Sequence, residues 1–179
     1  IATESFLPSV NGVARSVATI SRELIARGHR VTIVAPAPGP DEHEGAEVIR
    51  LRSMRVPGFR TFPLGLAGSG LTERIAALAP DVIHLASPFV VGAAAGQVAR
   101  TLRIPIVAVY QTDVAGFASQ YRLGPLGRMA WSRLRTIHSL ADVTLAPSSA
   151  AMEDLARHGV ERLALWPRGV DVDAFSPHH

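Results

Sequence analysis

Asn11 and Gly12 close a loop, ESFLPSVNG, that begins at Glu4 and runs into a helical pattern. A glycine at that place lets a ligand approach the backbone, and the free N–H groups of a helix start attract phosphate. The same pair also reads as an ordinary N-cap and turn. A second polar group, Gln111-Thr112-Asp113, follows the apolar run Ile106–Tyr110. Side chains of these types suit sugar hydroxyls, and Asp113 can accept a hydroxyl hydrogen bond or act as a base. They read equally as a capping cluster for the next segment. His84, inside an apolar run, fits a hydrogen-bonded core histidine better than a catalyst. The segment PRGVDVDAFSP, 167–177, is by itself a turn around Gly169.

Other chemistries lack their residues. No Gly-x-Ser-x-Gly elbow is present, and GLAGSG at 65–70 has the wrong order for a dinucleotide fingerprint. The histidines show no two-ligand helical spacing with a third partner, and His178 and His179 stand isolated at the end. The absence of cysteine removes thiolate metal sites and disulfides and fits a cytosolic protein.

The elements that must position these loops alternate along the chain. Residues 13–27 carry Val13, Val17, Ile20 and Leu24 at helical spacing, with Gly28 as the stop. Strands are expected at 31–35, 48–51, 82–86, 106–110, 143–146 and 163–166. Helices are expected at 71–79, 89–102, 124–141 and 149–158. Short apolar strands between helices predict an α/β fold, a Rossmann-like doubly wound parallel sheet. Ligands of such sheets bind at the carboxyl ends of the strands, so function belongs in the loops that follow them. The chain opens on barely the end of a strand and stops just after a strand and loop, and both ends read as cut.

A length of 179 residues and 47% hydrophobic content suit one domain with a substantial core. All 18 basic residues are arginine, yet the net charge is only +3. Arg50, Arg52, Arg55 and Arg60 form the one basic cluster. It reads as a solvated strand edge and loop, or as a surface for an anionic acceptor or acidic membrane. No dense basic stripe with aromatic platforms marks a nucleic-acid binder. On 124–141, Arg128 and Arg135 project away from the apolar face with Trp131 beside them, a solvated face or one for lipid headgroups. The longest uncharged run, 82–99, is broken by Pro88 and does not read as membrane-spanning.

In order, TESFLPSVNGV, ELIARGH before VTIVAP, DVIHLASP, AVYQTD and ADVTLAPS…WPRGVDVDAFSP resemble the N-terminal domain of glycosyltransferase family 4. They look most like its bacterial GDP-mannose-dependent mannosyltransferases. The resemblance implies one lobe of a GT-B enzyme. Residues 1–166 would hold the acceptor, with a truncated first strand, and 167–179 would cross toward a C-terminal lobe that binds the nucleotide sugar. It implies sugar transfer with retention, no cofactor and no bound metal, and a lipid or glycan acceptor. The enzyme would be cytoplasmic, at the periphery of the inner membrane face. Asn11 and Gly12 would reach the donor diphosphate, and Gln111 and Thr112 the transferred sugar. Asp113, Tyr121 and Arg122 would serve the acceptor. Gln111 stands where many members carry histidine. Glutamine can bind a hydroxyl but cannot titrate, so no acid–base role passes to it. The family's paired glutamates are not Glu153 and Glu161, which match the spacing but precede the crossover. A binding module without turnover and a nicotinamide-dependent enzyme are the alternative classes.

Overall fold

Apolar runs bounded by proline and glycine form the strands of the computed structural model, which describes all residues except 55–63, 67, 69, 88, 112–123, 168 and 170–179. The strands are β1 (Thr32–Pro36), β2 (Glu42–His43), β3 (Ala46–Leu51), β4 (Ser53–Met54), β5 (Leu64–Gly65), β6 (Ile83–Leu85), β7 (Ile106–Val109), β8 (Val143–Ala146) and β9 (Leu163–Leu165). The helices are α1 (Gly12–Ala26), α2 (Leu71–Leu78), α3 (Val90–Leu102), α4 (Gly124–His138) and α5 (Ser149–Arg157). The expected elements are present with ends moved by a few residues, as fraying ends commonly are. The short strands β2, β4 and β5 were not expected, since two-residue pairings carry no periodic signal.

One group of strands runs in the order β1-β3-β2, with β1 and β3 parallel and β2 antiparallel at the edge. The other, β6-β7-β8-β9, is parallel throughout. Residues Ile1–Thr3 join the two groups. Ala2 N–H donates to the His84 carbonyl at 2.8 Å, and Thr3 N–H to the Val34 carbonyl at 3.0 Å. The return bonds come from Val34 to Ile1 and from Ala86 to Ala2. Ala2 is thus flanked by β1 on one side and β6 on the other. The chain turns outward in opposite directions from this centre, which makes the carboxyl ends of Ile1–Thr3 and β6 the topological switch point.

Both faces of β1 are covered, because Ile33 and Ala35 pack with Val17 of α1 while Val34 packs with Leu71, Ile75 and Ala95 of α2 and α3. A third cluster joins Tyr110, Leu134, Ala146, Leu155 and Val160 beneath α4 and α5. The small residues of α3 serve close packing: a β-carbon on Gly96 would stand 3.3 Å from the Leu85 side chain. At the amino ends of β1 and β6 lies an apolar cavity of about 430 Å³ lined by Val31, Thr32, Ile83 and His84 among others. Among the described residues no helix is long and apolar enough to cross a membrane.

Candidate functional site

The first loop leaves the switch point and is held at three places before it becomes α1. Glu4 is the deepest anchor, only 2% exposed. Its Oε1 accepts from Val91 N–H and from Gly92 N–H, the latter at 3.4 Å, at the first turn of α3. Burial pushes its carboxyl up to about 7, against the opposing pull of the Val91, Gly92, Val90 and Gly65 amides. The second anchor is Arg50. Its guanidinium donates to the carbonyls of Leu7 (2.9 Å), Pro36 (3.1 Å) and Pro40 (2.9 Å) and lies over the Phe6 ring. Burial lowers its pKa from the ordinary value. Arg50 therefore fixes the loop and leaves the basic cluster that the sequence suggested. Arg52 is exposed, and Arg55 and Arg60 lie outside the described residues.

The third anchor is Asn11. Its Oδ1 accepts from Ala14 N–H at 3.0 Å, so it is the N-cap of α1. Its Nδ2 donates to Ser5 Oγ at 2.6 Å. Ser5 N–H in turn donates to Thr3 Oγ1 at 3.2 Å. Thr3 Oγ1 also meets Ser87 Oγ at 3.3 Å, and Ser87 Oγ accepts from Glu4 N–H. One side-chain network thus runs from the start of α1 to the loop after β6.

That capping leaves α1 with donors to spare. The N–H groups of a helix's first turn have no intrahelical acceptor. Asn11 takes that of Ala14, and those of Gly12 and Val13 find no acceptor among the described residues. Gly12 is exposed, and a β-carbon placed on it would meet no described residue within 4 Å. Asn11 thus caps the helix, and the helix start keeps N–H groups that no described residue claims.

Gln111 sits at the end of β7, half-buried, and its Nε2 donates to the Ala86 carbonyl at 2.7 Å. That donor ties the β7 loop to the residue before Ser87. The structure so brings Asn11, Gly12 and Gln111 to one edge of the sheet, linked through Ser5, Thr3 and the Ala86-Ser87 loop. Thr112, Asp113, Tyr121 and Arg122 lie outside the described residues, as do Arg168 and Val170–His179 of the expected crossover.

His84 lies elsewhere. Its ring Nε2 is buried with no hydrogen-bond partner among the described residues, and the residue lines the cavity at the amino ends of the strands. Burial, with the Ile1 ammonium adding, pushes its pKa down to about 4. It is a neutral core histidine. So is His138, which bonds Thr144 Oγ1 at 3.1 Å and is likewise held at about 4 by burial. Trp131 is half-buried and stacks on His158 at 3.6 Å with rings 4° from parallel. It is therefore engaged within the fold, while Arg128 and Arg135 stay exposed. Glu153 lies within α5, whereas Glu161 follows Gly159 beyond its end, so the two share no helix. No group of three metal-ligating side chains occurs among the described residues.

Reading the sequence alone misses Thr3, Glu4, Ser5 and Ser87. A signal for Glu4 does exist. Phe89 precedes α3 and its side chain cannot cap it, which leaves that first turn, at a buried stretch of the sequence, open to an acceptor from elsewhere in the chain.

The family model for "Glycosyltransferase Family 4" matches residues 10–174. The GDP-mannose-dependent alpha-mannosyltransferase of Corynebacterium glutamicum is 44% identical over 99% of this chain and 44% of its own length. The enzyme of the same name from Mycobacterium tuberculosis is 45% identical over 99% of this chain and 48% of its own. A sulfoquinovosyl transferase of Arabidopsis thaliana is 37% identical over 94% of this chain and 34% of its own. The chain spans about half the length of the mannosyltransferases it matches. A crystal structure of Anabaena HepE in complex with UDP superposes with a TM-score of 0.68 at 14% identity, over 99% of this chain and 46% of that one.

Proposed function

Because the chain belongs to glycosyltransferase family 4 and has the fold of a GT-B lobe, we propose that it is the acceptor-side half of a retaining enzyme that moves mannose from GDP-mannose to a lipid or glycan. The relatives named for GDP-mannose support the donor, and the activity is placed in the full-length protein. The observation that carries the proposal is the start of α1 at the switch point, where among the described residues Gly12 and Val13 N–H are unclaimed and the space above Gly12 is open. As the bond between the anomeric carbon and the diphosphate breaks, negative charge grows on the leaving oxygen. Fixed backbone donors and the helix dipole stabilise that charge without reorganising. No metal or cofactor is assigned a part.

In this reading Asn11 holds the helix start and Gly12 lets the diphosphate approach. Gln111 and Thr112 face the transferred sugar. Asp113, Tyr121 and Arg122 serve the acceptor, and the exposed Arg128 and Arg135 face an anionic membrane surface at the cytoplasmic side. The test is transfer by the full-length protein, with product linkage read by NMR. We expect an α-linked mannosyl product from GDP-mannose and turnover reduced at least about a hundredfold by Gly12→Val. A β-linked product, a strong preference for another donor, or near-normal turnover of Gly12→Val would overturn the corresponding part.

A further inference from the structure

The proposed donor site gives Glu4 no contact with substrate, yet no polar side chain of the first loop is buried more deeply or reaches further from its own element. We propose that Glu4 is a positioning residue: its carboxyl group fastens the first loop to the first turn of α3, and so sets Asn11 and the start of α1 for the donor. The inference rests on the donor site described above.

Three observations carry it. The first turn of α3 takes its acceptor from Glu4 Oε1, 87 residues away in sequence, and not from the residue that precedes the helix. The contact has no slack. A β-carbon on Gly92 would lie 1.9 Å from the Ser87 carbonyl oxygen, and one on Gly65 would lie 2.4 Å from Val91 Cγ2. The α3 turn is thus seated on the β6 loop and β5 at a fixed depth, and the carboxyl group that bonds it inherits that position. Finally, the Glu4 N–H bonds Ser87 Oγ, from which Thr3 and Ser5 lead to the Asn11 amide. A side chain that only stabilised α3 would not need this backbone to be shared with the cap of α1.

The consequence is a division of labour between two helix starts at one sheet edge. The protein's own carboxyl group fills that of α3, which leaves α1 as the anion site. Glutamate suits the task by length, and aspartate, one methylene shorter, falls short of the α3 amides. Glutamine keeps the length and an accepting oxygen.

The experiment compares Glu4→Ala, Glu4→Asp and Glu4→Gln in the full-length protein. Ser148→Ala is the control, because it removes the cap of α5, a helix outside the network. Donor KM, kcat and amide exchange at residues 12–15 are measured. Glu4→Ala and Glu4→Asp are expected to raise donor KM about tenfold with kcat changed less than about threefold, and to speed exchange at α1. Glu4→Gln is expected to restore both, and Ser148→Ala to lower the melting temperature without moving either. Unchanged KM and exchange in Glu4→Ala and Glu4→Asp would overturn the proposal. So would a KM rise in Ser148→Ala in proportion to its lost stability. If the wild type uses no nucleotide sugar, the donor reading fails. The exchange arm then still decides whether Glu4 holds α1.

Discussion

Two helices begin at the same edge of the sheet and meet opposite fates. The start of α1 is capped by its own Asn11 and, among the described residues, keeps N–H groups unclaimed and has open space over Gly12. The start of α3 is capped from across the loop by Glu4 and is pressed against Ser87 through Gly92. A glycine stands within the first three residues of both helices. In one the missing side chain leaves open space among the described residues. In the other it makes room for the protein itself.

Adding a methyl group separates the two cases most sharply. Gly92→Ala puts a β-carbon into a backbone oxygen at 1.9 Å, which no rotamer change relieves. It is expected to cost more than about 3 kcal/mol, or to prevent folding, since overpacking of a close backbone contact is among the severe core changes. Gly12→Ala meets nothing and is expected to leave the denaturation midpoint unchanged or slightly raised, as alanine favours a helix. Its effect is expected in donor affinity alone. Equal losses of stability in the two variants would mean that the space over Gly12 is filled by the protein in solution.

The filled helix start also writes itself into the pH dependence of stability. Glu4 is held at about 7 against an ordinary 4.5. Between those values the folded chain keeps a proton that the unfolded chain has lost. Its contribution is therefore full below about 4.5 and is lost as pH rises through 7, by an amount on the order of 3 kcal/mol. His138, held at about 4 against 6.5, acts in the opposite sense. The unfolded chain takes the proton first, so stability is full above 6.5 and falls as pH drops through 4. Between about pH 4.5 and 6.5 these two slopes oppose each other, and His84, also held at about 4, adds to that of His138, so urea midpoints are expected to rise with pH across this range. Glu4→Gln should steepen that rise, and His138→Asn should lessen it. An unchanged slope in Glu4→Gln would show that the α3 amides already hold Glu4 ionised.

The order of strands and helices was legible because burial on both sides makes a central parallel strand a continuous apolar run, as in Thr32–Pro36, which is buried from Ile33 onward. The place of the candidate site follows from the same pattern, since in such a fold ligands bind at the carboxyl ends of the strands. The partners within the site were not. Glu4 bonds a helix 87 residues on, and Arg50 bonds a loop 43 residues back. Contacts at such separations leave no periodicity, and nothing in RLRSMR distinguishes the arginine that binds three carbonyls from its solvated neighbour Arg52. Trp131 illustrates the converse. Helical spacing set it beside Arg128 and Arg135, but its stacking on His158 depends on α5, which periodicity within one helix cannot register.

The smallest expected effect is also the most discriminating about α1. Ser148 and Asn11 are both N-caps in extended backbone, each accepting from the N–H three residues on, at 3.2 and 3.0 Å. Removing such a cap costs about 1 kcal/mol. Ser148→Ala and Asn11→Ala should therefore lower stability by similar amounts if each cap serves its own helix alone. Asn11 also donates to Ser5 Oγ at 2.6 Å, which Ser148 has no counterpart for among the described residues. Asn11→Ser keeps a capping oxygen but gives up that second bond. It should recover most of the stability lost in Asn11→Ala and little of the lost donor affinity, measured by calorimetry with GDP-mannose on the full-length protein. Recovery of both together would reduce Asn11 to a cap and release the start of α1 from the network that Glu4 anchors.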